Sequence, residues 1–266
     1  MGNKISLKTE KEIEILKEGG LILSEILQAI RKKLVPGTTG DELNEKVKEM
    51  AKKKGAFCSF NGFNGYPAHF CLSLNDEVVH GIPFGKVIRE GDVVGVDMGI
   101  KYKGLFTDAA FTHFVPYVSK NEEKKRRKEI RNKKKLIDTT FLALKKTLDF
   151  CGAGFRVGDI GHAISSLATS QGFSVVKNLV GHGVGHAVHE DPMIPNFGEK
   201  GTGPRLNPGL VIAIEPMINV GEDEVYLNQS DNWTFKTKDS SLSAHFEWTV
   251  AITEQGPVII TPLEWI

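Results

Sequence analysis

The sequence is poor in cysteine and has no long apolar run, and both absences limit what the protein can be. Its three cysteines, Cys58, Cys71 and Cys151, are too few and too scattered for a disulfide framework or a thiolate zinc site. No stretch approaches the roughly 18 apolar residues of a membrane span, and the N-terminus lacks the apolar segment of a signal peptide. We therefore expect a cytoplasmic protein with no membrane contact, whose metal ligands, if any, are oxygen and imidazole.

A large excess of charge of either sign is also missing, although the balance is not uniform along the chain. The formal net charge is +1, but residues 120–135 contain ten Lys or Arg and three Glu, so the remaining residues carry a net −6. Such a block is usually a solvated helix face or a mobile loop. Its alternative interpretation is a contact with nucleic acid.

The 266 residues are 40% hydrophobic and 25% charged, which is typical of a soluble globular protein and suits one large domain. Apolar spacing predicts helices over residues 9–34, 39–55, 136–148 and 157–171. Thr9 is a plausible N-cap with Glu12 as its capping-box partner, and either Thr39 or Asp41 caps the second helix. Strands are predicted over residues 92–99, 105–115, 210–220 and 244–253, and residues 61–67 form a loop. Helix pairs followed by strand pairs occur twice, which predicts an α+β fold with helices on one face of an antiparallel sheet.

Two acids, Asp97 and Asp108, occupy the two arms of the first predicted hairpin. With the turn centred between Tyr102 and Lys103, the two carboxylates would be direct cross-strand neighbours with Cβ atoms about 5 Å apart. Like charges so placed destabilise a sheet unless a cation lies between them. The alternative is a register shifted by one residue, which would turn one carboxylate towards solvent.

Two further acids interrupt apolar strands. Glu215 follows the run Leu210-Val211-Ile212-Ala213-Ile214, and Glu247 lies between Phe246 and Trp248. Burying an ionised carboxylate there is costly without a partner, and metal coordination is one of few ways to hold it. A protonated or salt-bridged core glutamate is the alternative for each.

Three histidines, His182, His186 and His189, lie in a segment that has glycine at positions 181, 183 and 185. Their spacing is superficially that of a helical zinc-protease motif, but the glycines argue against a helix. They indicate extended or tightly bent backbone that passes close to another part of the molecule. The residues alone leave open which histidine is a ligand and which acts on a substrate.

Four carboxylates and one imidazole suit a pair of divalent ions such as Mn, Fe, Co or Zn. Such a pair makes hydroxide available near neutral pH, and hydrolysis is the chemistry that follows.

With these residues in view, the chain resembles the type I methionine aminopeptidases from about Ile5 to the C-terminus. The matching segments are residues 71–83 (CLSLNDEVVHGIP), 97–99 (DMG), 107–108 (TD), 181–183 (GHG), 189–190 (HE), 215–217 (EPM), 233–234 (WT) and 243–247 (SAHFE). The resemblance implies the pita-bread fold of that family, with two halves related by a pseudo-two-fold axis. It also implies a single catalytic domain over residues 1–266, with a basic insertion near residues 118–136.

The resemblance assigns five metal ligands. Asp97 would bind one ion, His182 and Glu215 the other, and Asp108 and Glu247 would bridge the two. It thereby selects His182 over the other two histidines of the glycine-rich segment. The family reaction is hydroxide attack on the first peptide bond of nascent chains that begin with methionine.

The remaining roles also come from the resemblance. Glu215 would carry the proton, His189 would hydrogen-bond the scissile carbonyl or the tetrahedral intermediate, and His80 would contact the substrate backbone. The free amine would bind a metal or nearby carboxylates. The methionine side chain would be held by Phe63, Tyr66, Cys71, His80, Val188 and Trp233. Phe63 replaces a usual tyrosine and Val188 a familiar phenylalanine, which puts strict methionine specificity in question.

Two alternatives remain. Xaa-Pro peptidases share the five ligands, although they generally carry a large N-terminal domain and only about 90 residues precede Asp97 here. Proteins of this fold that have lost ligands serve as RNA- or ribosome-binding modules. We hypothesise that residues 120–135 contact ribosomal RNA, and we expect a monomer. Residues 1–6 also fit the myristoylation pattern, with Gly2 as the acceptor.

Overall fold

The structure, a computed structural model, describes residues 5–263, so the predicted acceptor Gly2 lies outside the described residues. Within this range, no helix is both long enough and apolar enough to cross a membrane. The α-helices are α1 Glu10–Arg31, α2 Gly40–Lys53, α3 Lys120–Lys125, α4 Arg127–Thr147 and α5 Val157–Ser170, with 3-10 turns at Phe63–Gly65 and Leu148–Phe150.

The strands are β1 Phe57–Cys58, β2 Cys71–Leu74, β3 Glu77–Val79, β4 Val93–Tyr102, β5 Leu105–Phe114, β6 Ser174–Val175, β7 Val180–Gly183, β8 Glu190–Pro195, β9 Val211–Ile214, β10 Met217–Asn219, β11 Val225–Leu227, β12 Phe235–Thr237, β13 Ser243–His245, β14 Glu247–Thr253 and β15 Gly256–Ile259. Nine of them form one sheet in the order β1-β4-β5-β14-β9-β7-β8, with β2 added on β4 and β15 added on β14. Every pairing in this sheet is antiparallel. Two smaller sheets contain β13-β10-β6 and β11-β12-β3.

The first two helices begin as the sequence predicts. Thr9 and Thr39 are the N-caps of α1 and α2, and each forms a capping box with the glutamate three residues on, Glu12 or Glu42. Helix α1 packs on β4 and β5. A Cβ atom on Gly20 would lie 1.9 Å from the carbonyl oxygen of Ile260, so this close approach requires glycine.

The hairpin of β4 and β5 forms, but its register differs from the prediction by two residues. Asp97 pairs with Ala110 and Asp108 pairs with Gly99, so the two acids are diagonal rather than direct neighbours. The turn falls at Lys103 and Gly104, whose φ angles of 46° and 91° suit a tight two-residue hairpin turn. A shift of two residues preserves the face, so the one-residue slip that would expose one acid does not occur.

The predicted strands over residues 210–220 and 244–253 are each divided in two. Pro216 has no N–H for a ladder hydrogen bond, and the chain passes there from β9 in the large sheet to β10 in a small one. Phe246 marks the corresponding change from β13 to β14. Glu215 and Glu247 therefore lie beside points where the chain changes sheets.

The basic block is helical, as expected from the first of its two usual structures, a solvated helix face or a mobile loop. It forms α3 and the first turns of α4, so the helix predicted from residue 136 begins earlier, at Arg127. No residue of α3 is buried. The block is thus a largely solvated helical surface.

Candidate metal centre and substrate cavity

Five neighbouring strands of the large sheet bring the five predicted ligands together. Asp97 lies in β4, Asp108 in β5 and His182 in β7, while Glu247 begins β14 and Glu215 directly follows β9. These strands are adjacent in the order β4-β5-β14-β9-β7. Residues that are far apart in the sequence therefore project from consecutive strands into one region.

The side chains of this group lie close to one another. One ligand atom each of Asp108, His182 and Glu247 lies within 4.8 Å of the other two. His182 Nε2 is 3.7 Å from Glu215 Oε1. Asp97 is close enough to Asp108 for their carboxyl groups to affect each other's pKa.

The hydrogen bond of His182 determines which of its ring nitrogens faces the acids. Nδ1 lies 2.9 Å from the carbonyl oxygen of Gly183, which can only accept, so Nδ1 carries the proton and donates it. Nε2 then presents a lone pair towards the carboxylates. A hydrogen bond from the other ring nitrogen is what orients metal-binding histidines in proteins. The lone pair of Nε2 and the carboxylates repel each other unless a cation lies between them.

Burial affects the acids strongly. It raises the pKa of Asp97 to about 7 and that of Glu215 to about 8, and it raises the pKa of Asp108 and Glu247 well above their usual range. Neighbouring acids add to the effect on Asp108 and Glu247.

Among the described residues, no lysine or arginine at the cavity compensates the negative charge of these acids. Asp97 Oδ1 and Glu247 Oε1 are buried and have no hydrogen-bond partner, and among residues 5–263 no lysine or arginine lines the cavity. Three buried carboxylates and a fourth, Glu215, that is 13% exposed fit divalent cations, which would supply the missing positive charge. The two buried oxygens without hydrogen bonds and the lone pair of His182 also fit them.

The group lies in a cavity of about 170 Å³ that is lined by all twelve predicted site residues. These are Phe63, Tyr66, Cys71, His80, Asp97, Asp108, His182, Val188, His189, Glu215, Trp233 and Glu247. One wall is aromatic, because the ring of Tyr66 meets Trp233 edge-on with centroids 5.1 Å apart. The cavity therefore combines a polar end with an apolar side, as a site for an apolar side chain beside a reacting bond requires.

Two histidines border the acids without belonging to the set of predicted ligands. The ring of His189 is 4.2 Å from that of His182 and meets Phe63 edge-on at 5.3 Å. Burial lowers the pKa of His189 and lowers that of His80 to about 4, so His80 is neutral at pH 7. His80 has a φ of 59°, a conformation rare outside glycine and asparagine that is enriched at functional sites.

The third histidine of the glycine-rich segment is separate from the cavity. His186 is exposed, and its ring nitrogens lie 2.8 Å from Ser6 Oγ and 2.7 Å from Glu12 Oε1. The structure thus distinguishes His186 from His182 and His189, which the residues alone did not.

The glycines of this segment have the predicted function of allowing close backbone contact. A Cβ atom on Gly181 would lie 2.4 Å from the carbonyl oxygen of Ala213, and one on Gly183 would lie 2.4 Å from that of Asp191. β7 is accordingly extended and lies between β9 and β8.

Three residues near the centre were not predicted. Phe60 and Asn64 also line the cavity. His245 is buried, and its Nε2 lies 3.5 Å from Glu215 Oε2. The argument used for Glu247 also applies to His245, because both are polar residues in an otherwise buried apolar segment. Phe60 and Asn64 carry no such signal in the sequence.

Comparison with protein families gives one match over most of the chain. The model of metallopeptidase family M24 matches residues 14–254. A methionine aminopeptidase 1 of Bacillus subtilis is 41% identical over 257 residues, which cover 97% of this chain and 99% of that protein. A methionine aminopeptidase of Clostridium perfringens is 42% identical, with 97% and 98% covered.

Solved structures give a similar result. The methionine aminopeptidase of Thermotoga maritima superposes with a TM-score of 0.90 at 41% identity, covering 98% of this chain and all of that one. A prolidase of Pyrococcus furiosus reaches a TM-score of 0.75 at 22% identity, and the match covers 97% of this chain but 66% of the prolidase. The prolidase shares the fold.

Proposed function

The chain belongs to metallopeptidase family M24 and, within it, to the type I methionine aminopeptidases, and from this premise we propose how its residues act. It is a metal-dependent hydrolase that removes N-terminal methionine. Its substrates are nascent proteins and peptides, with a small second residue preferred. Such chains emerge in the cytoplasm, where we expect the enzyme to act as a monomer with a single catalytic domain.

Asp97, Asp108, His182, Glu215 and Glu247 would hold two divalent ions. The orphaned oxygens, the raised carboxyl pKa values and the directed His182 lone pair support this assignment. When bound, the ions supply Lewis acidity and a nucleophilic hydroxide near neutral pH. Mn, Fe, Co and Zn all suit such ligands.

The protein's own side chains then perform the proton transfer and the orientation of the substrate. Glu215 would take a proton from the attacking water and deliver it to the departing amine. His189 donates a hydrogen bond to the scissile carbonyl oxygen, where negative charge develops. His80 binds the substrate backbone beyond that bond, and nearby carboxylates bind the free amine.

The apolar side of the cavity receives the methionine side chain. Phe63, Tyr66, Cys71, Val188 and Trp233 supply this surface, and Tyr66 is fixed because its hydroxyl lies 3.0 Å from the carbonyl oxygen of Gly81. The volume of about 170 Å³ has room for one side chain. The carboxylates that bind the free amine direct the enzyme to the end of a chain.

The observation that carries this proposal is the convergence of five ligand-type side chains in a cavity with an apolar wall. It also disfavours the alternative of a pure RNA-binding module, which has no use for such a group. The test compares release of the first residue from Met-Gly-Ser and Ala-Pro-Ser by metal-loaded protein. We expect cleavage of the first peptide; cleavage of only the second would favour an Xaa-Pro peptidase.

The ribosome is a second proposed partner, through a groove of about 840 Å³ beside α3 and α4. Three cations of the basic block, Lys125, Arg126 and Lys133, pair with Glu122 or Glu129. Six others line the groove and form no ion pair with any described residue. One of the six, Lys135, donates a hydrogen bond to the carbonyl oxygen of Gln171, and the other five are Lys120, Lys124, Arg127, Arg131 and Lys134. Unpaired cations along one groove suit the phosphate backbone of ribosomal RNA.

Co-sedimentation with ribosomes at increasing salt tests this second proposal. Changing the five groove cations other than Lys135 to Gln should abolish salt-sensitive binding and leave cleavage of Met-Gly-Ser unchanged. A matched control removes five lysines near α2, namely Lys46, Lys48, Lys52, Lys53 and Lys54, and should still bind. Equal binding by both variants would show that the groove is not the contact.

A further inference from the structure

One buried imidazole beside the metal centre has no role in the reaction described above. His245 is only 4% exposed, and its Nε2 has no hydrogen-bond partner among residues 5–263. An unsatisfied buried ring nitrogen costs free energy, so its direction is informative. His245 Nε2 lies 3.5 Å from Glu215 Oε2.

The backbone holds His245 firmly in this position. The carbonyl oxygen of His245 accepts a hydrogen bond from Thr112 Oγ1 at 2.7 Å, and the backbone N–H of His245 donates one to Thr112 Oγ1 at 2.9 Å. Thr112 is itself 1% exposed. In the ladder of β10 and β13, His245 pairs with Met217, two residues beyond Glu215. The imidazole is therefore a fixed point against which the glutamate can be oriented.

Glu215 lies between two imidazoles that face opposite oxygens of its carboxyl group. Oε1 faces His182 Nε2, which presents a lone pair, while Oε2 faces His245 Nε2. Among the described residues, the group whose ligand atoms lie within 4.8 Å of one another is Asp108, His182 and Glu247; Glu215 reaches this group through His182, whereas His245 contacts Glu215 from the other side. The two oxygens of Glu215 are thus distinct, one towards the predicted ligands and one towards His245.

We propose that His245 is a positioning residue that donates its Nε2–H to Glu215 Oε2 and so keeps Oε1 directed at the metal centre. The proposal rests on the function assigned above, because it assumes that Glu215 is a ligand and proton carrier. The separation is slightly longer than a formed hydrogen bond, and a small rotation of either side chain closes it. Hydrogen bonds of this kind orient ligands and tune proton affinity in metal sites.

Substitutions that keep or remove the donor test this assignment. His245→Gln retains an N–H at a similar reach, whereas His245→Leu removes it. We expect the Leu variant to lose about 10- to 100-fold in kcat on Met-Gly-Ser with KM changed less than about threefold. Its affinity for Mn²⁺, titrated into metal-stripped protein by calorimetry, should fall about tenfold or more. The Gln variant should recover kcat to within about fivefold of the wild type.

Two comparisons keep the test decisive. If the Leu variant does not fold, His245→Asn replaces it, since its amide is too short to reach Glu215 and we expect the same losses. Ser243→Ala, in the same strand, is the matched control and should keep wild-type kcat, KM and Mn²⁺ affinity.

Wild-type kcat and Mn²⁺ affinity in a folded Leu or Asn variant would overturn the proposal. Loss of Mn²⁺ binding in the Gln variant as severe as in the Leu variant would also overturn it, because His245 would then be a ligand itself. If the wild type released no methionine, the proposed function would fail. The Mn²⁺ titrations would still decide whether His245 holds Glu215.

Discussion

The carboxylates of the cavity are the residues on which the proposed chemistry depends. The sequence marked Glu215 and Glu247, because a charged residue inside an apolar strand needs a partner. The structure places them with Asp97 and Asp108 in a cavity that, among the described residues, no lysine or arginine lines. Their ligand roles remain predictions that metal binding must test.

The histidines show where residue-level reasoning stops. Type and spacing could not separate His182, His186 and His189, because the glycine-rich backbone between them follows no regular period. Only the fold directs His182 and His189 into the cavity and turns His186 towards Ser6 and Glu12. His245 could also have been predicted if the argument used for Glu215 and Glu247, that a polar residue in an apolar strand needs a partner, had been applied to histidine.

Val188 should determine how strictly methionine is selected. It is 5% exposed and lines the cavity. Val188→Phe should reduce kcat/KM for an ethionine peptide about tenfold relative to the methionine peptide, because the larger ring removes the space for one methylene. Val118→Phe, at a position 77% exposed, is the control. If the ratio of kcat/KM for the ethionine and methionine peptides is unchanged in Val188→Phe, Val188 does not contribute to the selection of methionine.

At the scale of elements, predictions from sequence succeeded where local signals are strong. Helix α1 begins at its predicted cap, and α2 begins at Thr39, one of its two predicted caps, because each capping box is a purely local interaction. The predicted hairpin register was wrong by two residues, because the turn forms at Lys103 and Gly104 and its centre lies one residue later than predicted. The divided strands were missed because sheet membership depends on distant partners.

The N-terminal segment is attached to the loop that carries His189. The buried ammonium of Lys8 pairs with Glu190, whose other oxygen accepts hydrogen bonds from the N–H groups of His186 and Ala187. The Lys8 side chain also packs against Gly185, where a Cβ atom would lie 2.3 Å from Lys8 Cε. This contact links the start of the described chain to the loop that carries His189.

Lys8→Met should therefore destabilise the protein and lower its activity. Leaving Glu190 partly buried without its cation should reduce the free energy of unfolding by about 3 kcal/mol. The loosened loop should lower kcat more than KM, because we propose that His189 stabilises the transition state. Urea unfolding and steady-state kinetics measure both effects. Lys17→Met, which breaks an exposed pair with Glu14, is the control; equal loss in both variants would refute the link.

At the scale of the whole molecule, the family and the α+β pita-bread fold predicted from the sequence are confirmed by relatives that match nearly end to end. Composition and periodicity alone gave the α+β class, and the resemblance gave the particular fold. The order of strands in the large sheet could not be derived, because β14 inserts between β5 and β9 from far along the chain.

The metal-free protein should lose stability as pH rises from about 6.5 to 8. Folding raises the pKa of Asp97 to about 7 and that of Glu215 to about 8, so in this range the folded state binds more protons than the unfolded state. His182 and His80, with pKa values lowered to about 3 and 4, oppose the trend only below about pH 6.5.

Thermal unfolding of metal-stripped protein across this range measures the effect. Glu215 alone should contribute a loss of about 2 kcal/mol, or about 5 °C in Tm. Saturating Mn²⁺ should remove the slope, since bound cations replace the protons. A metal-free protein whose Tm is flat or rises between pH 6.5 and 8 would contradict the assigned electrostatics.

The most direct test of the metal centre measures bound metal and methionine release together in the wild type and in Glu247→Ala, with the exposed Glu254→Ala as control. We predict that stripped wild type is inactive and regains cleavage of Met-Gly-Ser as it binds two Mn²⁺ or Co²⁺ ions per chain, as does the control. Glu247→Ala should fail to bind the pair and lose at least about 100-fold in kcat/KM. A Glu247→Ala protein that binds two ions and cleaves at the wild-type rate would contradict the assignment.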